Sequence, residues 1–151
     1  MRVEHTLDTK YFLDICSNLT FKNQDEKEAQ DIVGSSSGSV MQVLKSAPNR
    51  WADHYLIYDE DKIVCVITLD YMSNLHYFVT KDLTDKNALS FVRTIKKLAY
   101  DTLEKRNVIF VTTRDWYSQA VKFNKLIGFK VLKTFKGRNY TTWYLSKNKG
   151  Y

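Results

Sequence analysis

The sequence predicts an α/β fold of the α+β kind: a mixed sheet of six to seven strands with a central parallel pair, and helices on both faces. Three observations predict it. Residues 54–80 hold three short apolar runs separated by polar turns, the pattern of an antiparallel meander. Residues 86–105 then form a long amphipathic stretch followed at once by the apolar run 108–112, as in a strand–helix–strand crossover, which places its two strands parallel. A shorter helical pattern ends at Gly128-Phe129 and leads into a second hairpin.

Each element follows from its own pattern. Leu7, Tyr11, Phe12, Ile15, Cys16 and Leu19 recur at helical spacing and predict a helix over residues 8–19, with Arg2 to His5 before it as a short edge strand. A charged segment follows, in which Ala29, Ile32 and Val33 give a weaker apolar face. Residues 34–39, Gly-Ser-Ser-Ser-Gly-Ser, read as a mobile loop. Ser39 is placed to cap a short helix bearing Val40, Val43, Leu44 and Ala47, which Pro48 ends. Strands are expected at 54–58, 63–69 and 75–80, the second apolar almost throughout and therefore central. In the long helix, Leu89, Val92, Ile95, Leu98, Ala99 and Leu103 form one stripe. In the shorter helix, residues 117–126, the apolar positions are Ala120, Val121, Phe123 and Leu126, and Gly128 is its left-handed terminator. Residues 129–135 alternate as a half-buried strand, 136–139 turn, and 140–145 close the sheet.

At 151 residues the chain fits one domain, and 44% hydrophobic residues can fill its core. No apolar run reaches the roughly 20 residues that span a bilayer, and the N-terminus lacks a secretory pattern, so the expected location is cytoplasmic. Cys16 and Cys65 read as small core hydrophobes in a reducing compartment, without the histidine spacing of a zinc site. Charge is uneven: residues 1–75 carry a net −5 and residues 76–151 a net +11. A basic half of this kind suits nucleic acid, an anionic cofactor or an acidic protein. Lys122, Lys125, Lys130, Lys133, Lys136 and Arg138 interleave with Phe123, Phe129, Phe135 and Tyr140 as a basic–aromatic patch, against which stands the plain reading of a one-sided strand.

The order of elements over residues 54–145, and above all Ala120-Val-Lys-Phe-Asn-Lys-Leu-Ile-Gly-Phe129, resembles the GNAT (N-acetyltransferase-like) superfamily. The match is to its "Ala-x-x-(Leu/Phe)-Tyr-x-x-(Leu/Ile)-Gly-Phe" segment. The resemblance implies acetyl-CoA held along the fourth strand's exposed backbone and by a turn reading "Gln/Arg-x-x-Gly-x-Gly/Ala" before the long helix, whose amides cradle the pyrophosphate. It thereby marks Phe78, Val79, Thr80, Lys86, Asn87, Ala88, Ser90 and Asn124 as cofactor-side positions. Here that turn, residues 80–90, has no glycine, and Asp82 and Asp85 bring negative charge to it. Thr84 or Asp85 as a helix cap is the competing explanation. The family's tyrosine acid is replaced by Asn124, which has no proton to give. His76 and Asp70 are the candidate bases and Tyr117 a candidate acid, each with an ordinary structural role as the alternative.

More narrowly, Tyr77-Phe-Val-Thr80, the Lys/Arg-rich long helix, the apolar strand ending in a polar turn, and Phe123 to Gly128 resemble the small GNAT-like internal virion or assembly proteins of short-tailed phages, which also lack the glycine turn and the helix tyrosine. Three functions follow. The first is a GNAT scaffold with a degenerate acetyl-CoA site serving in phage structure, assembly or interaction, in the host cytoplasm or the virion. The second is an active acetyl-CoA-dependent N-acetyltransferase. The third is a basic-face module for nucleic acid or an acidic host protein. No metal site and no membrane partner is expected.

Overall fold

The structure is a computed structural model, and it describes residues 1–34, 38–46, 51–81 and 85–147, without the side chains of residues 51, 52, 85 and 86. The expected loop at 34–39 and Pro48 therefore fall largely outside the described residues, as do Asp82 and Thr84. The chain divides into two compact units, one of Met1–Met72 with His76–Asp82, the other of Ser73–Leu75 with Leu83–Tyr151.

The first unit is built on a four-stranded sheet in the order β1 (Arg2–Thr6), β2 (Trp51–Asp59), β3 (Lys62–Asp70), β4 (Leu75–Val79). β1 pairs antiparallel with β2, and β2 with β3, so β3 lies inside the sheet and is buried from Val64 to Asp70. That is why its sequence is apolar without a break from Ile63 to Ile67. The tight turns between strands put Glu60 and Ser73 at positive φ, 56° and 66°. Helix α1 (Thr9–Cys16) starts where Asp8 accepts a hydrogen bond from the Tyr11 amide at 3.0 Å. Helix α2 (Asn23–Val33) ends at Gly34 in the left-handed conformation, φ 70°. Helix α3 (Val40–Ser46) is capped by Ser39, whose Oγ accepts from the Gln42 amide at 3.2 Å, as the sequence predicts. Their apolar sides meet β2, β3 and β4 in one core of Phe12, Cys16, Phe21, Ala29, Val40, Leu44, Leu56, Val66 and Phe78.

His54 sits at the margin of that core with no exposed surface. Its two ring nitrogens lie 2.9 Å from the hydroxyls of Thr9 and Thr68, and its ring stacks on Phe12 at 4.4 Å. Burial disfavours the charged ring and lowers its pKa, against the smaller opposing pull of Asp53.

The second unit carries helix α4 (Asp85–Arg106), β5 (Val108–Arg114), α5 (Ser118–Ile127), β6 (Lys130–Phe135) and β7 (Tyr140–Ser146), with a 3-10 turn at Lys136–Arg138. Its sheet runs β5-β7-β6, antiparallel throughout. The strands thus hydrogen-bond as two antiparallel sheets of four and three, not as one continuous sheet. The parallel pairing expected of the crossover appears as a single bridge, Asn74 to Phe110, with the Phe110 amide donating to Ser73 O at 2.9 Å. Gly128 ends α5 at φ 114°, and a Cβ there would stand 3.0 Å from the Tyr100 hydroxyl, so glycine answers both conformation and space.

Two sequence expectations change here. The buried line of α4 runs Phe91, Ile95, Ala99 and Leu103, while Leu89 is 55% exposed. The apolar residues define a wide arc, and packing selects the four-residue ladder that meets α5, where Phe91 and Phe123 lie 5.4 Å apart. β6 is not half-buried: every position except Phe135 is exposed. It is the sheet's outer strand, and a register irregularity between Val131 and Lys133 breaks the alternation.

The lowered pKa of His54 predicts how stability depends on pH. Its folded pKa lies below the unfolded value of about 6.5, so the unfolded chain binds the extra proton first. The contribution is complete above that value and is lost as pH falls through the folded pKa. The urea midpoint should fall between pH 7.5 and pH 5.5 (about one unit either side of the unfolded value), and His54→Asn should flatten that fall. An unchanged pH dependence in the variant would remove His54 as its cause.

Candidate functional site

β4 is the strand on which the candidate cofactor residues converge, and its two sides are used differently. Thr80, just past its end, donates its amide to Val64 O of β3 at 3.0 Å, and its hydroxyl to Ile63 O at 2.8 Å. Adjacent residues of an extended chain point their backbone groups in opposite directions. Val79 therefore turns its amide and carbonyl away from β3, toward the outer edge of the sheet.

That edge is taken at Val79. The Lys22 amide, at the N-cap of α2, donates to Val79 O at 2.9 Å. In return the Val79 amide donates to the Asp25 carboxylate, three residues into the same helix. The reciprocal pair docks the first turn of α2 on the strand. Phe21, just before it, packs edge-on against Phe78 with ring centroids 6.3 Å apart. Asp25 is 3% exposed, so this is a buried carboxylate held by a backbone donor and by the N-terminal end of its own helix. Its charge is felt nearby. Burial and then Asp25 raise the Cys65 thiol well above its ordinary range; burial, Glu28 and Asp25 do the same for the Tyr77 hydroxyl. Both groups are held neutral.

Of the candidate bases, the structure brings Asp70 and His76 together, with Nε2 3.6 Å from Oδ2. That is ion-pair distance for a protonated ring and too long for a good hydrogen bond. His76 keeps a third of its side-chain surface, while Asp70 is nearly buried. Asp70 also accepts the Met72 amide at 2.8 Å and so shapes the turn between β3 and β4.

The other candidates lie in the second unit. Tyr117 is buried at the N-cap of α5, its ring stacked on Trp116 at 5.6 Å. Asn124 has no exposed surface; its side-chain NH2 donates to Thr113 Oγ1 at 2.6 Å. Its backbone carbonyl accepts the amides of Gly128 and Phe129 at 3.2 and 2.9 Å. The residue thus ties α5 to β5 and closes the helix. Asn87, Ala88 and Ser90 are part-exposed in the first turns of α4, where Ser90 O accepts the Thr94 hydroxyl at 2.8 Å. The Lys86 side chain lies outside the described residues.

Sequence reasoning missed Asp25, which stood in a segment read as charged and weakly helical. An acidic residue in a helix's first turn is common and exposed as a rule. Nothing local marks the one that points inward.

Comparison with known proteins gives a fold. No protein-family model and no curated protein sequence matches the chain. Among solved structures it is similar to aminoglycoside 6'-acetyltransferase type Ii, with 16% identity over 97% of each chain and a TM-score of 0.65. It also matches the ribosomal-protein-S18-alanine N-acetyltransferase from Escherichia coli, with 13% identity over 99% of each chain and a TM-score of 0.60. A third match is aminoglycoside acetyltransferase AAC(6')-Ib in complex with coenzyme A, with 11% identity over 97% of this chain and 95% of that one, and a TM-score of 0.64. The fold is that of the GNAT N-acetyltransferases. Identities this low carry the architecture and not the activity.

Acetyl-CoA is the cofactor this fold implies. At Val79, one of the positions that would lie along it, the backbone is already engaged. Val79, whose amide and carbonyl would serve the ligand, has given both to α2, and the Asn124 side-chain nitrogen donates to Thr113.

Asp25 should therefore be a stability residue. Asp25→Ala strands the buried Val79 amide and is expected to cost about 1–3 kcal/mol in urea denaturation. Asp25→Asn, which keeps an acceptor oxygen, should recover part of that loss. Equal stability of wild type and Asp25→Ala would contradict the arrangement.

Proposed function

We propose that the chain is a GNAT-fold protein whose acetyl-CoA site is degenerate, and that it serves as a structural, assembly or interaction component instead of an acyltransferase. The observation that carries this reading is the occupied edge of β4: Lys22 and Asp25 use the Val79 backbone groups. The sequence supports it independently, through the glycine-free stretch 80–90 and Asn124 in the tyrosine's place. The same pair of losses supports the narrower reading, a component of a short-tailed phage that acts in the host cytoplasm or in the virion. No helix among the described residues is long and apolar enough to cross a membrane.

A second reading, an N-acetyltransferase with a divergent cofactor turn, is favoured by one observation. His76 and Asp70 stand as an exposed imidazole backed by a nearly buried carboxylate. In that reading His76 takes the proton of the amine to be acylated, with the Asp70 carboxylate beside it. The occupied β4 edge weighs against it, because a base without a held acyl donor transfers nothing.

Thermal unfolding with acetyl-CoA separates the two. A ligand at 100 times its dissociation constant stabilises by about 2.7 kcal/mol, a shift of several degrees for a domain of this size. The degenerate site predicts no shift up to millimolar acetyl-CoA. A clear shift that persists in His76→Ala would overturn it and establish cofactor binding separately from the base.

A further inference from the structure

We infer that the face of the β5-β7-β6 sheet opposite α5 is a binding surface for single-stranded nucleic acid. This rests on the second unit alone and is independent of whether the chain transfers acyl groups. Register sorts the sheet's side chains into two faces. Val111, Thr113, Thr141, Trp143 and Leu145 share the buried one, where Asn124 attaches α5 to Thr113. The opposite face pairs Arg114 with Tyr140 and Tyr140 with Phe135, and its remaining rows place Lys133 beside Thr142 and Lys130 beside Tyr144.

These side chains form a column. The Arg114 guanidinium lies 5.1 Å from the Tyr140 ring centroid, Tyr140 stacks on Phe135 at 4.6 Å, and the Lys133 ammonium lies 4.7 Å from the Phe135 centroid. Each of the two stacked rings thus holds a cation, which lowers the entropy cost of presenting either cation to a ligand. A guanidinium plane at one end can continue a stack with an unpaired base, and the lysines can meet the flanking phosphates. Lys130 and Lys133 are exposed on this outer strand. The nearest acid in sequence, Asp115, accepts a hydrogen bond from Thr141, a residue of the buried face, at 2.8 Å.

The structure also divides the basic–aromatic patch that the sequence offers. Phe123 and Phe129 are buried, and Lys122 and Lys125 stand on α5, which covers the other face of the sheet. The column, Lys130 beside it, and the exposed Lys136 and Arg138 of the turn between β6 and β7 are what remain. Charge and stacking together favour a single strand over a duplex, whose bases are unavailable to the guanidinium plane.

Fluorescence anisotropy with a labelled oligothymidylate of about 20 nucleotides tests this, since single-strand sites span roughly 4–16 nucleotides. With about four phosphates neutralised, affinity should fall roughly 50-fold between about 50 and 200 mM salt. Lys130→Gln with Lys133→Gln should reduce the log–log salt slope by about 1.4, whereas Lys122→Gln with Lys125→Gln leaves it unchanged. Circular dichroism of both double variants checks that they are folded. No binding at about 50 mM salt would overturn the proposal. So would an equal loss from the α5 pair, or a preference for heparin or duplex DNA over the single strand.

Discussion

A carboxylate moved out of water loses several kcal/mol of solvation unless donors replace what water gave it. Asp25 meets that demand by accepting the Val79 amide from the first turn of α2, and the architecture of the first unit follows from the pair. The contact decides where α2 docks. It brings Phe21 onto Phe78 and Ala29 into the core, and Glu26 of the same turn accepts the Val40 amide at 3.2 Å to position α3. It also engages the Val79 amide, while Lys22 takes the Val79 carbonyl, at the outer edge of β4. One interaction thus serves as a folding constraint and is the ground of the proposed loss of the cofactor site.

The second unit repeats the theme with a neutral pair. Where the fold's enzymes are expected to carry a tyrosine, Asn124 is fully buried and hydrogen-bonded to Thr113. An asparagine there satisfies the Thr113 hydroxyl and fixes the helix on the sheet, while offering no proton to a leaving group. Both departures from the expected chemistry are polar groups turned inward to hold helices on strands. The reactive-looking groups that remain, His76 and Asp70, lie together at the β3–β4 turn, where Asp70 already holds the turn's backbone.

Much of this was legible in the sequence, and the reasons differ by element. β3 was legible as central because a strand buried on both faces demands apolar residues at consecutive positions, here Ile63 to Ile67. Gly128 was read as a helix terminator because its conformation penalises every other residue. α2 was less legible: its helix is mostly polar, and its partner at Val79 lies 54 residues away. Phe91 was passed over for Leu89 because α4 offers apolar residues over a wide arc and only tertiary packing selects among them. β6 misled because alternation looks the same on an exposed edge and a half-buried strand. Of the site, the Asp70–His76 neighbourhood was legible as two candidates on adjoining strands, but the carboxylate that decides the β4 edge was not.

The most direct test of a closed β4 edge is hydrogen exchange at the Val79 amide, followed by NMR with and without acetyl-CoA. The account predicts slow exchange in the free protein, comparable to the β3 core amides, and no change when acetyl-CoA is added. Fast exchange in the free protein that slows on adding acetyl-CoA would contradict it, and would return this strand to the role its fold ordinarily gives it.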